Sequence, residues 1–141
     1  MVSEEIKNIT DEFNTQGKMV YLDATTNEKI ELYEKNMNIK LPSQYKEWLM
    51  FSDGGDLFLP AGIQLYGVEH KPLIEACEED KLKNDYFIIG ALATGDPILC
   101  DKKGEKISIY NQEGGRIEED EIYVDFYSFL RDLYNLLGIG G

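Results

Sequence analysis

Apolar residues recur at helical spacing in four stretches of the chain. In the clearest of these, a continuous apolar stripe begins after Asp125, which is a suitable N-cap residue, and stops at Gly138. The other three stretches lie within the first 55 residues. They are residues 3–17, residues 25–38 with a capping box of Thr25 and Glu28, and a helix that begins at Pro42 and ends at Gly54 or Gly55.

The helix that begins at Pro42 has the heaviest apolar face. Tyr45, Trp48 and Leu49 fall on one side of it, and charged residues fall on the other. Because buried tryptophan and tyrosine contribute a large share of a small core, we expect this stripe to be core. The polar turn that follows, residues 52–56, is a candidate for part of a functional surface.

Between residues 57 and 124 the pattern changes to short apolar or alternating runs bounded by glycine and proline, which is typical of strands. Residues 98–100 and 106–110 form the best hairpin candidate, because Asp101 and Gly104 suit the turn between them. The other expected elements are strands at 57–59, 63–68 and 86–92, brief edge strands at 116–118 and 121–124, a short helix at 72–79, and an extended segment or connector at 18–22.

These elements predict an α+β fold. Helices come first, antiparallel strands follow and one helix closes the chain, so we expect the helices to cover one face of one mainly antiparallel sheet. The chain has 141 residues, of which 43% are hydrophobic, and this is enough for a single domain with one core. We expect the core to span about 25–137, and the tail at 138–141 to be frayed.

The net charge of −13 narrows the range of partners. Residues 51–141 carry a net charge of −10, whereas residues 1–50 carry only −3. An acidic surface repels phosphate, which argues against nucleic acid and anionic membranes and favours a basic protein partner. No apolar run in the chain approaches the length of about 20 residues that a membrane-spanning helix needs. Since its N-terminus does not resemble a signal peptide, we expect a cytoplasmic protein.

The sequence offers little for catalysis. Nucleophilic catalysis needs a base beside the nucleophile, and the only histidine is His70. A pairing of His70 with Cys77 or Cys100 stays open, but a lone histidine between two charged residues is more typical of a surface position. We expect both cysteines to be reduced thiols, although a disulfide between them stays open. The residues therefore give little support for an enzyme, and hydrolysis by acidic side chains stays open only as a minor alternative.

Cofactor and metal motifs are equally weak. The glycine pair at 54–55 is flanked by Asp53 and Asp56, which would repel a phosphate, and no lysine of the P-loop type follows it. Asp53 with Asp56, or Asp96 with Asp101, could bind a hard cation weakly, but aspartates in turns more often cap their own backbone. We expect neither a cofactor nor a metal.

Three segments resemble the SUKH superfamily: LPSQYKEWLMFSDGG at 41–55, IIGALATGDPILCDKKG at 88–104, and VDFYSFLRDLY at 124–134. The resemblance covers about residues 25–137 and implies the same α+β fold. The chain departs from the family pattern at Asp53, where asparagine is more usual, and at Val124 and Asp125, where a small capping residue often stands. We expect these departures to lie at exposed positions that bear on partner choice.

Members of this superfamily are bacterial immunity proteins against polymorphic toxins or, in fungi, regulators of cell-wall synthesis. The resemblance therefore implies that the chain binds and neutralises a toxin encoded nearby, such as a nuclease with a basic cleft; the alternative is a regulatory domain with a non-toxin partner. Tyr66, Tyr123 and Leu57 are the expected exposed anchors among the acids. The candidate partner-binding residues are Asp53, Asp56, Tyr66, Glu78, Glu79, Asp80, Glu118, Glu119, Asp120, Glu121 and Tyr123.

Overall fold

The computed structural model describes residues 3–138, and this part of the chain forms four helices and eight strands. Most of the tail that we expected to be frayed, residues 139–141, lies outside the described residues. The helices are α1 (Glu4–Gln16), α2 (Asn27–Met37), α3 (Ser43–Leu49) and α4 (Phe126–Leu136). The strands are β1 (Lys18–Val20), β2 (Gly55–Leu59), β3 (Ile63–Leu65), β4 (Glu75–Ala76), β5 (Tyr86–Leu92), β6 (Pro97–Asp101), β7 (Ile107–Asn111) and β8 (Arg116–Tyr123).

All eight strands belong to one antiparallel sheet, so the predicted α+β class is confirmed. The strand order is β1-β2-β3-β5-β6-β7-β8, and the two-residue strand β4 pairs with β5 beyond the end of β3. The expected hairpin is present as β6 and β7, in which Leu99 pairs with Ser108. Strand β8 forms one edge of the sheet.

The helices cover one face of the sheet, which we call the covered face. Trp48 and Tyr45 of α3 and Phe126 of α4 are fully buried there against Phe87 and Ile98 of the sheet. The rings of Tyr45 and Phe126 meet edge to face with centroids 4.9 Å apart. Complete burial of one such side chain contributes about 1.5–3 kcal/mol, so this aromatic cluster dominates the stability of the fold.

The opposite face, which we call the outer face, carries no helix among the described residues. Its apolar cluster is much smaller: Cys77, Leu82, Leu99 and Tyr110 are buried, and Ile88 is half-buried against them. Directly paired residues of antiparallel strands lie on the same face. Two rows across the outer face follow from the pairing: Glu75, Ile88, Leu99, Ser108 and Ile122, and Asp56, Gln64, Ala91 and Pro97.

Helix boundaries differ from the predictions at two points. The N-cap of α2 is Thr26, whose hydroxyl accepts a hydrogen bond from the Lys29 N–H; Thr25 instead donates its hydroxyl proton to Glu69 Oε1 at 2.6 Å. Helix α3 ends at Leu49, several residues before the glycines that we expected to end it. These glycines have positive φ and instead form the turn into β2.

Two predictions for the strand-rich part of the chain were also wrong. Residues 72–79 do not form a helix, because Glu75 and Ala76 pair with Ile88 and Phe87 of β5. The two brief edge strands at 116–118 and 121–124 are one strand, β8, because its pairing with β7 resumes after a register shift. In both places the hydrogen bonds come from a neighbouring strand, so the local sequence pattern is overridden.

Candidate functional site

A groove on the outer face is lined by two of the predicted partner-binding residues, Glu78 and Glu79. It has a volume of about 590 Å³ and lies between the loop that follows β4 and strands β5 to β7. We call it the acidic groove. It is lined by Glu75, Ala76, Cys77, Glu78, Glu79, Leu82, Ile88, Pro97, Leu99, Tyr110 and Gln112.

The floor of the acidic groove is apolar. Ile88 and Pro97 present accessible surface to it, and the buried side chains of Leu99 and Leu82 support them from below. This floor exists because successive side chains of β5 and β6 point to opposite faces of the sheet. Those that face the helices belong to the main core, and their neighbours face the groove. An apolar floor of this kind can desolvate the side chain of a partner.

Three glutamates form the rim of the acidic groove. Glu75, Glu78 and Glu79 are all exposed, and within residues 3–138 none of them forms an ion pair. The carboxylate of Glu79 lies beside the Tyr110 hydroxyl. No lysine or arginine belongs to the described lining of the groove. The adjacent Asp80 differs, because Lys83 Nζ lies 3.1 Å from its carboxylate. The rim therefore presents three carboxylates without ion-pair partners over an apolar floor.

The negative charge of the rim contributes to the raised pKa values of two groups in the groove, Cys77 and Tyr110. The pKa of the Cys77 thiol is raised to about 11, mainly by burial; the charge of Lys102 opposes this rise, and the charges of Glu75 and Glu79 add to it. The pKa of Tyr110 is also raised, first because the Glu79 carboxylate lies beside its hydroxyl and then by burial. Both groups resist becoming anionic, as expected in a site suited to cations.

The acids of β8 form a second acidic region close to the groove. Glu118 accepts a hydrogen bond from Asn111 Nδ2 at 2.7 Å, and Glu119 and Asp120 are exposed. The pKa of Glu121 is raised, first by burial and then by the charges of Glu118, Asp96 and Asp120. The β8 acids therefore form a negative patch together with Asp96 at this end of the sheet, and none of them lines the acidic groove.

The two predicted tyrosines are half-buried. The ring of Tyr66 packs partly against the main core and does not line the groove, and burial and then the charge of Glu75 raise its pKa. Tyr123 instead packs its ring against Phe129 on the covered face, with centroids 5.4 Å apart, and donates its hydroxyl proton to Asp132 at 2.8 Å. Its polar end is therefore already engaged within the fold.

Asp53 is not exposed, so our expectation for this position was wrong. Its side chain is fully buried, and its carboxylate accepts hydrogen bonds from the backbone N–H groups of Val68, Glu69 and His70 at 2.7–2.9 Å. His70 Nδ1 also lies 2.8 Å from this carboxylate. Because the aspartate ties the turn after α3 to residues 68–70, its role is structural, and it is not available to a partner.

Leu57 and Asp56, two other predicted positions near this turn, differ in their exposure to solvent. Leu57 is fully buried in the main core, so its expected exposure was wrong. Asp56 is partly exposed on the outer face, in the row that continues through Gln64 and Ala91 to Pro97. Three strand spacings of about 4.8 Å put Asp56 about 14 Å from the acidic groove. At the other departure from the family pattern, Val124 is exposed, as expected.

The arrangement is suited to binding more than to catalysis. His70 Nδ1 is held by Asp53, and burial raises the pKa of both cysteine thiols, which are free. A high thiol pKa leaves little of the nucleophilic thiolate. Within residues 3–138 no three His, Cys, Asp or Glu side chains converge in a way that could hold a metal ion.

Glu75 is the main groove residue that the sequence did not identify. It was assigned to a short helix, and only its pairing with Ile88 places it on the outer face beside the apolar floor. Glu78 and Glu79 were identified from their charge run, and they do line the groove with Glu75. The alternation along 86–92 was the one sequence signal that could have indicated an outward-facing Ile88.

The fold and the groove define an α+β domain with one helix-covered and one open sheet face. The chain belongs to the SMI1 / KNR4 family (SUKH-1), whose model matches residues 24–132. This confirms the resemblance inferred from the three sequence segments. Membership is consistent with an immunity-protein-like domain and suggests protein–protein interaction. A comparison with curated proteins found no match. Within residues 3–138, no helix has the length and apolar character needed to cross a membrane.

Proposed function

We propose that this protein is an immunity protein that binds a toxin with a basic surface and neutralises it by covering that surface. The observation that carries the proposal is the acidic groove, with three unpaired glutamates above an apolar floor. Membership of the SMI1 / KNR4 family (SUKH-1) supports a binding role. In this proposal the chain transforms no substrate and requires no cofactor.

The charges of the groove suit a toxin that acts on nucleic acid. The cleft of such an enzyme is basic because it must hold phosphates. Complementary charges across an interface accelerate association and fix the orientation of the two partners. The apolar floor supplies the desolvated contact on which tight binding depends. A protein that covers the cleft would exclude the nucleic acid directly.

The test uses the purified chain and the toxin domain encoded beside its gene. We expect calorimetry to show sub-micromolar affinity, and the toxin to lose activity in proportion to the complex formed. Raising the salt concentration should slow association, because the steering is electrostatic. If mixing releases no heat and the toxin stays fully active, the proposal is wrong. A neighbouring gene that encodes no toxin would favour the regulatory alternative.

A charge-matched pair of variants tests the surface. The groove variant, Glu75→Gln with Glu78→Gln and Glu79→Gln, removes the rim charges. The control variant, Asp11→Asn with Glu12→Gln and Asp23→Asn, removes three exposed charges outside the groove. Since both variants change the net charge equally, only the groove variant should weaken toxin binding strongly. Equal losses would show that general acidity, and not the groove, is responsible.

A further inference from the structure

We infer that the acidic groove is a receptor for an arginine side chain of the basic partner. This inference rests on the proposed function and makes its chemistry specific. The groove is bounded by carboxylates at both ends: Glu75 lies on β4, and Glu79 lies beside Tyr110 of β7. From β4 to β7 is three strand spacings, or about 14 Å.

The floor between these carboxylates suits the aliphatic part of a long basic side chain. Ile88 pairs directly with Glu75, and the next residue in the same row, Leu99, is fully buried beneath the groove. Long basic side chains bury their methylene stems on apolar surface and keep the charged end near polar groups. The volume of about 590 Å³ leaves room for one such side chain and its flanking backbone.

Arginine fits this groove better than lysine does. A guanidinium group has five N–H donors in a plane, so it can donate two parallel hydrogen bonds to a single rim carboxylate. It is also more weakly hydrated than an ammonium group, and its flat face packs on aromatic and apolar surface such as Tyr110 and Ile88. The ammonium of lysine would lose more hydration for fewer matched acceptors.

Two lysines carry charge close to the groove, but their ammonium groups donate to backbone carbonyls: Lys81 Nζ to that of Gly115 at 2.6 Å, and Lys102 Nζ to that of Lys83 at 2.6 Å. The charge of Lys102 reaches the groove, since it lowers the pKa of Cys77. Within the described residues, however, no lysine or arginine forms an ion pair with Glu75, Glu78 or Glu79. A cation from a partner is the group that relieves their mutual repulsion.

The experiment titrates small probes into the protein and follows its amide resonances by NMR. The probes are N-acetyl-arginine methylamide, the lysine analogue, and the citrulline analogue, which has nearly the shape of arginine but no charge. We expect the arginine probe to bind weakly, with shifts concentrated at Ala76, Ile88 and Tyr110. The lysine probe should bind several-fold more weakly, and the citrulline probe should cause no shifts there.

The groove variant should weaken binding of the arginine probe about tenfold, because charge-assisted hydrogen bonds are lost, whereas the control variant should bind it normally. A dispersed amide spectrum of each variant verifies its fold. Equal binding of citrulline, or shifts spread over all acidic surfaces, would overturn the inference. If the toxin is neutralised but the arginine probe does not bind, the inference fails and the proposed function stands. If the probe binds at the groove and the toxin is unaffected, only the proposed function fails.

Discussion

The two faces of the sheet serve different purposes, although they share the same strands. Along β6, Ile98 and Cys100 face the helices and belong to the main core, whereas Leu99 between them faces the acidic groove. The covered face is closed by large aromatic side chains of α3 and α4. The outer face buries four side chains beneath one loop and keeps acidic groups in solvent. We conclude that stability resides mainly on the covered face, and our proposal assigns recognition to the outer face.

Removing the central aromatic residue of the covered face is the strongest test of this division. Trp48→Ala should destabilise the protein by about 3–5 kcal/mol, because it leaves a large cavity among Tyr21, Phe51 and Phe126. Ile88→Ala on the outer face should cost only about 1 kcal/mol, because Ile88 is already half-exposed. Urea unfolding of both variants measures the difference. Similar losses would contradict the division.

The buried carboxylate at the turn after α3 should have the next largest effect. Asp53→Ala should cost about 3 kcal/mol, because the N–H groups of Val68, Glu69 and His70 lose a charged acceptor. His70→Ala should cost clearly less, since it leaves the three backbone bonds in place. Thermal and urea unfolding provide the comparison. If both variants are equally unstable, the contact between the His70 and Asp53 side chains, and not the backbone hydrogen bonds, holds the turn.

The cap of α4 should give a smaller, pH-dependent effect. Burial alone would raise the pKa of Asp125, but hydrogen bonds from Ser128 and Gln44 outweigh it and hold the pKa below its usual value. A carboxyl whose pKa is lowered on folding stabilises the fold above its unfolded pKa, and this contribution is lost as pH falls through the folded pKa.

Asp125→Ala should therefore cost about 1 kcal/mol near neutral pH, and the cost should shrink as pH falls below about 4, the usual pKa of aspartate. Asp125→Asn serves as the control, because asparagine also caps a helix but does not titrate. The stability that Asp125→Asn loses relative to the parent should also shrink as pH falls, but near neutral pH it should be smaller than the loss in Asp125→Ala. A cost for Asp125→Ala that is constant between the two pH values would contradict the role of the charge.

The smallest expected effect concerns the two thiols, one on each face. Burial raises the pKa of Cys77 to about 11 and also raises that of Cys100, so both should react slowly with iodoacetamide in the folded protein. In the groove variant, loss of the Glu75 and Glu79 charges should lower the pKa of Cys77 and accelerate its alkylation several-fold. The rate at Cys100 should not change. Mass spectrometry of quenched samples measures both rates, and equal acceleration at both thiols would indicate general loosening.

Much of the fold was predictable because its signals are local. The apolar stripe after Asp125, the Ser3 cap of α1 and the turn between β6 and β7 each depend on residues a few positions apart. The charge run at Glu78 and Glu79 likewise indicated an acidic surface that lines the groove. These features are set by helix and turn geometry, which a short segment carries by itself.

What the sequence alone determined was the α+β class, the α4 stripe and the sign of the surface charge. The tertiary structure decided which acids are accessible. Asp53 is buried because residues 68–70, far along the chain, place three N–H groups around it, and Glu75 faces the groove because β5 pairs with it. Exposure is a property of what packs on a residue, and in an antiparallel sheet those neighbours are distant in sequence, so no local pattern specifies it.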